Sequence, residues 1–162
     1  MPTIAALPLT ASAFAPYGQV IERPAGAGRI YSSEALATSR AHAKPSLSIA
    51  HMPALAATRL DAVKMERHEF SSQSFVPIDV SRYLVMVAPH GKDGRPDHTR
   101  LTAFLARGDQ GVTYGQNVWH HPMTALDRPA SFAIFMWLDG GRGDEEFADL
   151  PHPVTITFPA LG

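Results

Sequence analysis

Short apolar runs and alternations, cut at close intervals by proline and glycine, dominate the chain and predict strands. Residues 82–88 and 131–138 are almost continuously apolar, as fully buried strands are. Residues 47–52, 62–70, 110–114 and 118–122 mix apolar with hydrogen-bonding side chains and read as extended, with a turn at Gly115-Gln116-Asn117. The run Val154-Thr155-Ile156-Thr157-Phe158 alternates strictly, as an edge or half-exposed strand does, and an exposed edge of that kind favours a homodimer. With Gln19-Val20-Ile21 this gives seven or eight short strands.

Helical signals are few. Thr10 is an N-cap for a short helix over residues 11–17 that Gly18 ends. Asp97 caps a predicted helix from His98 to about Arg107, with Leu101, Phe104 and Leu105 on one face and Gly108 just past its end. Residues 24–28, 89–97 and 139–144 are loops by their proline, glycine and aspartate content. Residues 31–46 carry no clean period; should that loop close over a pocket, Arg40 could meet a substrate anion.

At 162 residues the length suits one domain spanning 1–162, able to bury roughly two thirds of its surface. Lys plus Arg number 14 against 15 Asp plus Glu, and no basic stripe stands out, which argues against nucleic acid. The absence of cysteine removes disulfides, thiolate metal sites and cysteine nucleophiles together. The proline-broken start lacks a charged leader, and no run approaches the ~18 apolar residues of a membrane span. A soluble cytoplasmic protein is the expectation. The strand spacing points to a mainly β fold, an antiparallel barrel of the cupin-like double-stranded β-helix type with one or two short helices, whose mouth would take a small ligand.

The chemistry concentrates in two stretches, residues 66–77 and 110–122, which are expected to converge on one pocket. Adjacent strand residues face opposite ways, so only one of His120 and His121 can enter it. His68 and His120 are the candidate acid–base pair, because imidazole titrates near neutrality. A metal reading would draw its ligands from Glu66, His68, Gln73 and His120; it is the weaker one, since an amide is a poor ligand, yet it leaves a divalent ion open as the one cofactor. No Ser-His-acid triad, phosphate loop or nucleotide fingerprint is recognisable.

Glu66-Arg67-His68 with Ser72-Gln73 and Phe75-Val76-Pro77, the block from Ala88-Pro89 to Pro96-Asp97, Gln110-Gly111-Val112, Tyr114 and Trp119-His120-His121-Pro122 resemble the ureidoglycolate lyase family over most of the chain. The resemblance implies a cupin-type barrel, usually a homodimer, that cleaves (S)-ureidoglycolate to glyoxylate and urea late in allantoin degradation. It implies acid–base roles for His68 and His120. Arg67 would meet the substrate carboxylate, Ser72 and Gln73 would bind the ureido amide, and Tyr114 and Trp119 would form walls. Ser48-Ile49-Ala50-His51 departs from the family, whose members commonly carry an arginine in that strand. The rival readings are a metal-dependent cupin oxygenase or isomerase and a non-catalytic cupin that binds a small molecule.

Overall fold

The computed structural model describes residues 2–161, and among them two β-sheets face each other as a nearly closed barrel. The smaller sheet runs in the order Gly18–Glu22, Gln110–Tyr114, Gln73–Pro77, Ala130–Leu138 and Lys44–Met52. The larger orders Thr3–Ala5, Glu146–Thr157, Arg59–Arg67, Trp119–His120, Arg82–Ala88, Thr124–Leu126 and Ala54–Leu55, while Thr102–Arg107 joins the other side of Arg82–Ala88 and carries Leu7–Pro8. The expected mainly β barrel is borne out. No helix among the described residues is long and apolar enough to cross a membrane.

The strand Arg82–Ala88 explains its own continuous apolar run, because each of its faces packs into a different core. Tyr83, Val85 and Val87 join Phe14, Phe75, Tyr114 and Phe132 between the two sheets. Leu84, Met86 and Ala88 join Met65, Trp119, Leu126 and Ile156 on the other face of the larger sheet. Fully burying a side chain of this size stabilises by about 1.5–3 kcal/mol, so neither face tolerates a polar residue.

That double burial also corrects the predicted helix over 98–107. Asp97 does cap a turn, accepting a hydrogen bond from the Thr99 amide at 3.1 Å, but the turn ends at Arg100 and Thr102–Arg107 is a strand. It pairs antiparallel with Arg82–Ala88 from Thr102 opposite Val87 to Arg107 opposite Arg82. Phe104 and Ala106 enter the inter-sheet core, whereas Leu101, Ala103 and Leu105 pack in the second. A strand apolar on both faces has no period of two, and Leu101, Phe104 and Leu105 mimic a helical stripe.

The first helix is shorter than predicted, ending at Phe14, and Gly18 opens a strand instead of terminating the helix. Gly18 has φ +152° and lies against the Thr113 carbonyl, where a Cβ would clash. The strand at the C-terminal end is not an edge: Val154 to Thr157 pair with Arg59–Arg67 on one side, and Thr155 to Thr157 with Thr3–Ala5 on the other. Val154 and Ile156 are buried, so the apolar edge expected there is covered. Lys44–Met52 is one of the two edge strands of the smaller sheet, with Leu47 73% and Ile49 63% exposed.

Candidate functional site

The two stretches singled out in the sequence meet. Glu66 stands directly opposite His120 across the antiparallel pair, and Tyr114 opposite Gln73 across the smaller sheet. The strand carrying Glu66 ends at Arg67, three residues short of the predicted span, and His68 follows just outside it. Glu66, His68, Gln73, Tyr114 and His120 are all buried. The His68 and His120 rings lie 5.5 Å apart, and Tyr114 stacks on His120 at 4.1 Å.

Hydrogen bonds fix how these rings are presented. A carbonyl only accepts, so His68 Nδ1 donates to the Asp144 carbonyl at 2.7 Å and His120 Nδ1 to the Val118 carbonyl at 2.9 Å. Each ring therefore turns Nε2 toward the site. His120 Nε2 lies 3.3 Å from Glu66 Oε1 and 3.1 Å from Gln73 Oε1, while His68 Nε2 has no protein partner. Two imidazole nitrogens, a carboxylate and an amide oxygen thus converge without a donor of their own, and a cation or a proton must sit among them. Ligand atoms of Glu66, His68 and His120 lie within 4.8 Å of one another, and two imidazoles with one carboxylate are a donor set that suits divalent transition metals.

The electrostatics follow from burial and proximity. Burial pushes the Glu66 carboxyl up, but hydrogen bonding and charge from His120, helped by His68, win, and the carboxyl lies below its ordinary value. Burial and then the neighbouring His120 lower His68, which is neutral at pH 7. Burial, with Tyr83 and Glu66 nearby, raises the Tyr114 phenol well above its usual value, so its hydroxyl stays a donor; it is buried without a protein partner.

Three sequence candidates lie elsewhere. Arg67 and Trp119 neighbour Glu66 and His120 in their strands and so point to the opposite face, where the guanidinium stacks 4.7 Å from the Trp119 ring centroid. Arg67 is held there by Glu146 at 2.6 Å and Asn117 Oδ1 at 2.8 Å. Ser72 is spent on the 35–38 segment, its Oγ accepting from the Ala37 amide at 3.0 Å. Arg40 does reach the mouth, but bound to Asp139 at 2.9 Å and Asp144 at 2.6 Å. His121 turns aside, with Nδ1 on the Pro122 carbonyl at 2.8 Å.

Sequence reasoning missed Glu145. At the rim of the site, burial and then the negative Glu66 beside it raise its carboxyl above the ordinary value. Nothing in the acidic run Asp144-Glu145-Glu146 distinguishes it from a solvated face.

A family model described as ureidoglycolate lyase matches residues 1–157. Curated relatives named ureidoglycolate lyase include one from Rhizobium etli, 40% identical over 94% of this chain and 95% of its own. One from Rhizobium leguminosarum bv. trifolii is 39% identical over 95% of each, and one from Brucella melitensis 38% over 98% of each. Among solved structures, a dTDP sugar isomerase from Desulfovibrio desulfuricans G20 superimposes with a TM-score of 0.50 over 81% of each chain at 18% identity, a likeness of fold alone.

Proposed function

The chain belongs to the ureidoglycolate lyase family, and from that premise we propose that it cleaves (S)-ureidoglycolate to glyoxylate and urea, late in allantoin degradation. The observation that carries the reading is the convergence of Glu66, His68, Gln73 and His120 at one buried point, supplied by both sheets. The substrate carbon bears a hydroxyl, a carboxylate and a ureido nitrogen. A base removes the hydroxyl proton as C=O forms; the C–N bond breaks, its electron pair leaves with nitrogen, and an acid protonates that nitrogen. Each transfer is worth about 10²–10⁴-fold.

His68, neutral and with its Nε2 lone pair free, is the base. His120, when its Nε2 carries a proton facing the Glu66 carboxylate, is the acid. Gln73 and the Tyr114 hydroxyl orient the ureido group. In the same reading the chain is a single cytoplasmic domain acting as a homodimer, with the exposed Lys44–Met52 edge as the self-pairing surface.

The convergence of acceptors favours a second reading of the same activity. Glu66, His68, Gln73 and His120 would hold a divalent ion, which when bound supplies Lewis acidity to the substrate's hydroxyl and carboxylate oxygens. Glyoxylate release from racemic ureidoglycolate, corrected for spontaneous decay and measured with and without chelator, tests both. Turnover that survives chelation and disappears in His120→Ala supports the acid–base reading. Loss to chelator, restored by added divalent ion, supports the ion. No rate above the blank would sink the lyase assignment.

A further inference from the structure

His68 lies one residue past the end of the strand that carries Glu66, so the sheet ladder that pairs Glu66 with His120 does not itself hold it. Its backbone is tied instead by one bond, from the Asn117 amide to the His68 carbonyl at 2.9 Å. Asn117 is three residues before His120, and its neighbour Val118 provides the carbonyl that orients the His120 ring. One residue therefore bridges the segments bearing the two histidines.

Asn117 is built to stay where it is. Its φ of 63° lies in the left-handed region, which costs a side-chain-bearing residue free energy and which glycine adopts most easily. A glycine would serve the turn alone; the asparagine adds a side chain that is used. Oδ1 accepts from Arg67 Nη1 at 2.8 Å, and the Asn117 carbonyl accepts from His90 Nε2 at 2.7 Å. Arg67 is itself fixed by Glu146 and by Trp119, whose indole N–H donates to the Gly94 carbonyl at 3.0 Å.

We infer that Asn117 is a positioning residue, which the Arg67 guanidinium on the far face of the sheet holds in place so that His68 stands at working distance from His120. The inference rests on the lyase reading for its catalytic consequence, and on geometry alone for its structural one. Asn117→Gly keeps the left-handed turn and both backbone contacts but removes Oδ1; Asn117→Asp keeps an acceptor for Arg67.

The test measures glyoxylate release together with the imidazole ¹⁵N resonances of His68 and His120 and the melting temperature. Expected for Asn117→Gly is a fall in kcat of about 10–100-fold, a KM within about twofold of the parent, a shifted His68 resonance and a little-changed melting temperature. Asn117→Asp should recover most of the lost kcat and the parent resonance. Were the glycine variant not to fold, Arg67→Met, which withdraws the donor, should show the same loss and the same shift. Parent kcat and unmoved resonances in Asn117→Gly would overturn the inference, as would an aspartate variant as impaired as the glycine one. A wild-type protein without turnover would defeat the lyase reading, and the resonances would still decide the positioning role.

Discussion

Replacing Tyr114 by phenylalanine should make the protein more stable and less active. The hydroxyl is buried with no protein partner, while the ring stacks on His120 with centroids 4.1 Å apart and planes 13° from parallel. Phenylalanine keeps that stacking, along with the edge contacts to Phe14 at 5.8 Å and Phe75 at 6.1 Å. What it removes is a buried hydroxyl whose unmet hydrogen bonding costs about 1–3 kcal/mol. In a chain of this length each kcal/mol moves the melting temperature by roughly 2–4 °C, so a rise of about 2–12 °C is expected.

Such a cost persists in a natural protein where the strained or unsatisfied group serves function. As a donor to bound substrate the hydroxyl contributes about 0.5–1.5 kcal/mol, and its loss should lower kcat/KM by up to about tenfold. Calorimetry and glyoxylate release on the same preparations read both effects. A melting temperature that falls would refute the reasoning, because it would mean the hydroxyl is satisfied in the folded state. A higher melting temperature with undiminished kcat/KM would leave Tyr114 a packing residue only.

Glu66→Gln keeps the side chain's shape but removes the charge facing His120 Nε2, and kcat should fall about 10²-fold with loss of divalent-ion affinity; calorimetric titration with nickel or zinc and steady-state kinetics check this, and parent values in both would remove Glu66 from the site. Hydrogen bonds from Arg82 hold the Asp127 carboxyl below its ordinary value against the opposing effect of burial. This carboxyl's folded-state value is depressed, so its contribution is present above about pH 4 and is lost as pH falls below that. Urea midpoints across that range should show a steeper acid-side loss in the parent than in Arg82→Met, and equal slopes would contradict it. Arg40→Ala frees Asp139 and Asp144, so amide exchange at Gly140 and Gly141, whose N–H groups donate to those carboxylates, should quicken about tenfold, and kcat should fall as the Asp144 carbonyl loosens its hold on His68. Unchanged protection would show that the loop does not depend on Arg40.

Strands whose environment is uniform along their length read correctly from the sequence. Residues 82–88 are apolar on both faces and bounded by Ser81 and Pro89, and 110–114 are buried throughout. Thr102–Arg107 failed because a helical stripe and a doubly buried strand can share one composition; only its six-residue pairing with Arg82–Ala88 decides between them. The strand 146–157 was half seen for a different reason. Its register shifts between Asp149 and Val154, around Pro151 and Pro153, and prolines in sequence read as a break.

At the site, alternation carried the argument as far as it was applied. It separates His120 from His121, and the same rule places Arg67 opposite Glu66 and Trp119 opposite His120, which is where both are found. The corrected arrangement has a consequence for charge. Among the described residues the cations near the site are engaged elsewhere: Arg67 faces the far side with Glu146, Arg40 is bound by two aspartates, and the Lys64 ammonium lies 5.2 Å from the Phe147 ring. An anionic substrate entering beside Glu66 and Glu145 meets negative charge from the protein. The compensating positive charge must come from a protonated imidazole or from a divalent ion held by the same donors, because burying an unpaired carboxylate costs several kcal/mol. Substrate carboxylate recognition and proton transfer are then tasks of one cluster, which is why a sequence search for a separate carboxylate-binding arginine settled on a residue facing away.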